Sequence, residues 1–113
     1  MSNRRLGTIV ALALALAALV PAVALGGGSA ASSHSVVIKE IRFHPGTLTI
    51  RRGDSVTWLW RDGGERHNVT FHSVRSHTMG HGSFTVRFTH SGTFNYRCTI
   101  HEAEGMRGKI IVH

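Results

Sequence analysis

The stretch Phe84–Cys98, FTVRFTHSGTFNYRC, alternates in a way that only extended chain can use. Phe84, Val86 and Phe88 share one parity and Thr85, Arg87 and Thr89 the other; after a His-Ser-Gly break, Phe94, Tyr96 and Cys98 repeat the pattern against Asn95, Arg97 and Thr99. A period of two turns one set toward a core and the other toward solvent, so both runs read as half-buried strands. The same parity that buries the rings of Phe94 and Tyr96 delivers the Cys98 sulfur to the end of their row. Val36–Phe43, Thr47–Arg51, Ser55–Trp60 and His67–His72 are rich in β-branched and aromatic residues, and HPG at 44–46, RGD at 52–54 and DGG at 62–64 supply turns between them. Lys109–Val112 reads as a closing strand. With no helix of normal length and no internal repeat, the chain is expected to be an all-β, antiparallel Greek-key sandwich of about seven to eight strands.

At 113 residues there is room for one ordinary core. Met1–Leu25 joins Arg4 and Arg5 to an uncharged, Ala-rich run from Ile9 to Leu25, the pattern of a secretory signal. Gly26–Ser35 is small and polar and reads as a tether or processing remnant. The division expected is therefore a signal and processing region at 1–31 and a folded domain at 32–113. This predicts export to the periplasm or the extracellular space, with membrane attachment only if the N-terminal segment stays uncleaved. Losing Arg4 and Arg5 takes Lys plus Arg from 13 to 11 against 6 acidic residues, a net charge of about +5. The arginines are scattered rather than interleaved with stacking aromatics, which argues against nucleic acid as a partner.

Cysteine usage is the sharpest chemical bound. An exported domain of this size commonly relies on disulfides, yet Cys98 is the single cysteine. An exported free thiol oxidises unless it is buried or bound to a metal. Within nine residues, CTIHEAEGM sets Cys98, His101 and Met106 at the spacing C-x2-H-x4-M. A thiolate, imidazoles and a thioether form a soft donor set that suits copper better than zinc, whose structural sites use more Cys or His. His67, following the Asp62-Gly63-Gly64 turn, is the best candidate for the remaining donor.

Those residues, taken with Phe43-His44-Pro45, Gly53-Asp54-Ser55-Val56-Thr57-Trp58, His67-Asn68-Val69, Gly82-Ser83-Phe84, Gly92-Thr93-Phe94-Asn95-Tyr96-Arg97-Cys98 and Gly105-Met106-Arg107-Gly108, resemble the cupredoxins, the small blue copper proteins. The resemblance is greatest to the bacterial plastocyanin/amicyanin-like group, runs over about residues 36–113, and has the plastocyanin loop spacing. It implies one type 1 copper per domain, held by His67, Cys98 and His101 with Met106 as a weak axial ligand. It also implies that Asn68 ties the two ligand segments together by hydrogen bonds. Trp60 departs from the polar Asn of many members, and Arg66 and Glu102 put charge beside the ligand histidines where the family has an apolar docking surface.

His72, His77 and His81, with Met79, fall in FHSVRSHTMGHG and are candidates for an auxiliary metal site, although an exposed connecting loop accounts for them more simply. His34, His44, His90 and His113 read as surface residues. Cys98 is flanked by Arg97 and Thr99 rather than by the histidines that wire multicopper enzymes to a second copper centre, so no enzymatic activity is expected. The function implied is that of a monomeric, exported carrier of single electrons between redox partner proteins, using Cu(II)/Cu(I). The alternative is a copper-binding protein for delivery, buffering or resistance.

Overall fold

The computed structural model describes residues 30–113, so the signal and processing region expected at 1–31 lies, apart from Ala30 and Ala31, outside the described residues. Seven strands follow among them: β1 Ser33–Lys39, β2 Arg42–His44, β3 Thr47–Ile50, β4 Ser55–Trp60, β5 Ser83–Arg87, β6 Gly92–Arg97 and β7 Arg107–Val112. They form a four-stranded sheet in the order β2-β1-β4-β5 and a three-stranded sheet in the order β3-β7-β6. The expected sandwich is present, but its sheets are mixed, because β1 runs parallel to β4 and β3 parallel to β7.

Strand parity builds the core. In β4 every second residue, Val56, Trp58 and Trp60, is buried, and Val36 and Ile38 of the neighbouring β1 join them. In β6 and just beyond it, Phe94 is half-buried and Tyr96 and Cys98 are buried, on the inward row the alternation predicts. Tyr96 meets Trp58 and Phe43 edge to face, at ring centroids 5.3 and 4.7 Å apart, so one aromatic cluster joins the two sheets. Tyr96 also lies across Gly108, its partner on β7. A Cβ at 108 would overlap that ring, which is why glycine stands in this strand.

Four local expectations change. Val36–Phe43 is not one strand: the chain reverses at Glu40-Ile41, both left-handed with φ of 56° and 54°, and β2 pairs back on β1. Ser33–Ser35 belongs to β1 rather than to a tether, paired alongside Ser55–Thr57. Asp54 holds this start in place, accepting the Ser32 amide at 2.9 Å and meeting His34 Nε2 at 3.0 Å, so His34 is half-buried and not a simple surface residue. His67–His72 forms no strand but only isolated bridges, His67 with Met79 and Thr70 with Arg75 and Arg97. The Ser76 hydroxyl takes the Val69 amide at 2.9 Å and the Asn68 side chain takes the Thr99 amide at 3.0 Å, so side chains occupy backbone groups that a ladder would need.

Candidate metal centre

Cys98 follows the last residue of β6 and is fully buried. A turn then leads to His101 and a short 3-10 helix at Glu102–Glu104, ended by Gly105 in the left-handed conformation at φ 88°. There the chain can reverse into β7 without a Cβ penalty. The loop is closed from within, as the Cys98 amide donates to the Met106 carbonyl at 3.1 Å and the Met106 amide to the His101 carbonyl at 3.2 Å. Met106 is completely buried at its base.

His67 comes from the other side. Its backbone exchanges hydrogen bonds with Met79, N to O at 3.0 Å and O from N at 3.1 Å, and its carbonyl also accepts the Trp60 indole N–H at 3.1 Å. The tryptophan that departs from the family's usual Asn therefore holds this histidine's own backbone. Gly64 and Gly80 pass so closely that a Cβ on Gly80 would strike the Gly64 carbonyl, and this contact keeps the Asp62–Gly64 turn against the segment that carries Met79.

The two imidazoles and the thiol converge. His67 Nδ1 and His101 Nδ1 are 3.2 Å apart, and the Cys98 sulfur lies 3.9 Å from the first and 3.6 Å from the second. A triangle with those sides has its centre about 2.1 Å from every corner, the length of an ordinary metal–nitrogen bond. The outer nitrogens face carboxylates: His67 Nε2 lies 2.8 Å from Asp62 Oδ2, and His101 Nε2 lies 3.3 Å from Glu65 and 3.9 Å from Glu104. Carboxylates only accept, so the ring protons belong on Nε2 and the lone pairs on Nδ1. Two lone pairs and a sulfur aimed at one buried point oppose one another unless a cation joins them. This donor set fits copper, and among the described residues His67, Cys98 and His101 are the one such grouping.

The surroundings are tightly bonded. Asn68 Oδ1 accepts the Thr99 amide at 3.0 Å and the Thr70 hydroxyl at 2.8 Å, while its amide donates to the hydroxyls of Thr99 at 2.8 Å and Thr78 at 3.0 Å. Partial burial pushes the Asp62 carboxyl upward, yet hydrogen bonds from His67, Ile41 and Glu40 hold it below the usual carboxylate range. Neither charge anticipated beside the histidines meets a ring: Arg66 donates to the Thr78 carbonyl, and Glu102 bridges Arg97 and Arg107 at 3.1 and 3.2 Å. The carboxylates that do approach His101 are Glu65 and Glu104.

His72, His77 and His81 are exposed and stand outside the donor triangle, with His81 packed beside Gly64. Sequence reasoning missed Asp62, whose place in a DGG turn explains it fully as a turn former. It also missed Trp60 and Met79 as supports of His67, and Glu65; no local signal marks any of them, because each acts through a tertiary contact.

Residues 30–113 match the family model described as copper binding proteins, plastocyanin/azurin family. A chloroplastic plastocyanin of Tetradesmus obliquus is 33% identical over 118 residues, covering 92% of this chain and 74% of that protein. Amicyanin-alpha of Methylorubrum extorquens is 32% identical, covering 91% and 97%. Among solved structures, a Cu(I) form of an amicyanin mutant superposes with a TM-score of 0.65 at 28% identity, covering 72% of this chain and 82% of that one.

Proposed function

Since the chain belongs to the plastocyanin/azurin family of copper-binding proteins, we propose that it is an exported carrier of single electrons whose copper is held by His67, Cys98 and His101, with Met106 as a fourth, weaker ligand. The observation that carries this reading is the buried triangle of two Nδ1 atoms and one sulfur, with sides of 3.2 to 3.9 Å. Bound there, copper supplies a one-electron couple between Cu(II) and Cu(I).

The chain's own contribution is to hold the donors still and dry. Cys98, His67 and Met106 are wholly buried, and His101 is 7% exposed, so a substrate has no path to the donors. Held by both sheets, such donors need little rearrangement between oxidation states. His101 is the donor nearest solvent, beside the 51% exposed Ile100, and its edge is the natural contact point for a redox partner protein. Asn68 ties the segment carrying His67 to Thr99, next to Cys98, and keeps the two halves of the site in register. Secretion by the N-terminal segment and a monomeric state complete the reading.

Titrating the purified domain (residues 32–113) with Cu(II) tests it. The protein should turn intensely blue at one equivalent, the Cys98→Ala variant should stay colourless, and voltammetry should show one reversible one-electron wave. A colourless wild type overturns the proposal. Copper transfer to an apo acceptor without reversible cycling would replace electron carriage with copper delivery.

A further inference from the structure

The two nitrogens of His67 have different neighbours, and the outer one leads away from the donor triangle into the fold. Nε2 lies 2.8 Å from Asp62 Oδ2, and Asp62 is in turn held by two backbone amides, Glu40 to Oδ1 at 2.9 Å and Ile41 to Oδ2 at 3.1 Å. Glu40 and Ile41 are the central residues of the β1–β2 turn, with φ of 56° and 54°. Turns with two left-handed residues ordinarily use Asn and Gly, and a β-branched residue such as Ile41 rarely adopts this conformation. Sequence therefore does not favour this turn by itself, and a carboxylate twenty-two residues away receives both of its amides.

We propose that Asp62 is a positioning residue for the copper site: held by the Glu40 and Ile41 amides, it accepts the Nε2 proton of His67, presents Nδ1 to the metal, and favours the Cu(II) state by its negative charge. The inference rests on the copper reading above. Its side chain is only 17% exposed, whereas Glu65 and Glu104, which face His101 at longer range, are 50% and 57% exposed and screened by water. The two ligand imidazoles are therefore supported unequally, and His67 has the rigid partner. A carboxylate behind a ligand imidazole raises its basicity, and losing such a partner typically costs 10- to 100-fold in metal affinity.

Asp62→Asn makes the test. An amide oxygen can serve Glu40 or His67 but not both, and an amide N–H facing His67 would drive its ring proton to Nδ1, where the metal belongs. In the metal-free protein, imidazole nitrogen shifts should show His67 as the Nε2–H tautomer in wild type and a mixture in Asp62→Asn. Cu(II) affinity should fall about tenfold more than Cu(I) affinity, raising the potential by about 59 mV. The same substitution in a Glu40→Asn, Ile41→Gly background, where the turn no longer needs the carboxylate, guards against simple misfolding and should keep the shift. Asp62→Glu should recover part of it.

A blue Asp62→Asn protein with unchanged tautomer and potential overturns the inference alone. So does a shift that vanishes in the Asn-Gly background, which would make Asp62 a turn residue only. A wild type that takes up no copper overturns the copper reading and this inference together.

Discussion

Replacing Asn68 with alanine removes four hydrogen bonds at once, and they are not equivalent. The hydroxyls of Thr70, Thr78 and Thr99 can rotate toward water or another acceptor. The Thr99 amide, 3.0 Å from Asn68 Oδ1, is fixed by the backbone between Cys98 and His101 and cannot. Asn68 itself is 5% exposed, so the space left behind admits water poorly. Taking about 0.5–1.5 kcal/mol for each bond, with the lower value for the three rotatable partners, the variant should lose about 2–3 kcal/mol. Urea unfolding of the metal-free domain should show this as a lower midpoint at unchanged slope. Thr57→Ala is the control: it also removes a short hydrogen bond, 2.8 Å to Thr85, but on an exposed sheet face. It should cost only about 0.2–1 kcal/mol.

The same variant should retain copper less well, because Asn68 joins the residue after His67 to the residue after Cys98. Competition with a chelator should strip copper from Asn68→Ala faster than from wild type or Thr57→Ala. If Asn68→Ala loses no more stability than Thr57→Ala, or loses stability but releases copper at the wild-type rate, the bridging argument is wrong.

Gly108→Ala places a Cβ inside the Tyr96 ring, which Trp58 and Phe43 already confine; overpacking of this kind costs about 1–3 kcal/mol and should show as a lowered thermal midpoint. Asp54 is held down to about 2 by hydrogen bonds from the Ser32 amide first, then His34 and the Arg51 amide. A carboxyl whose folded value lies below its ordinary 3.8 stabilises the fold above that pH and loses the contribution as pH falls toward about 2. Asp54→Asn should therefore flatten the fall in apo-protein stability across that window, and an unchanged slope would refute the assignment. Glu102→Gln weakens an exposed triad with Arg97 and Arg107 and should change stability by less than about 1 kcal/mol, leaving the visible spectrum unaltered.

The parts of this molecule legible in sequence are those written in local patterns. The alternation through Tyr96 and Cys98 is a period of two and needs no distant partner, and the structure keeps its parity. The placing of Cys98 and His101 on one loop at the spacing C-x2-H is likewise a matter of residue type and order, and the structure brings both to the donor triangle. What failed was set by contacts across the chain. Ile41 reads as strand because it is β-branched, but two Asp62 oxygens hold the turn through it. His67–His72 reads as strand because Val69, Thr70 and Phe71 favour one, but the Asn68 and Ser76 side chains divert its hydrogen bonding. Asp62 was hidden by sufficiency: a DGG turn gives an aspartate a complete local reason to be there.

That division bears on how the site is built. His67 hangs from the first sheet, through the β4 residue Trp60 and through Asp62 to the β1–β2 turn. Cys98, His101 and Met106 belong to the β6–β7 connection of the second sheet. The Thr70–Arg97 backbone pair, with bonds of 2.9 and 3.1 Å, and the Asn68 side chain are polar bridges between these halves, and the contacts of Tyr96 with Trp58 and Phe43 are apolar ones. The donor triangle thus closes only when the two sheets are in register. A metal that binds the closed triangle and not the unfolded chain stabilises the fold in proportion to the logarithm of its concentration over its dissociation constant. Substitutions at the bridges should therefore weaken copper binding and folding together, whereas outer-face substitutions such as Thr57→Ala should leave copper binding alone.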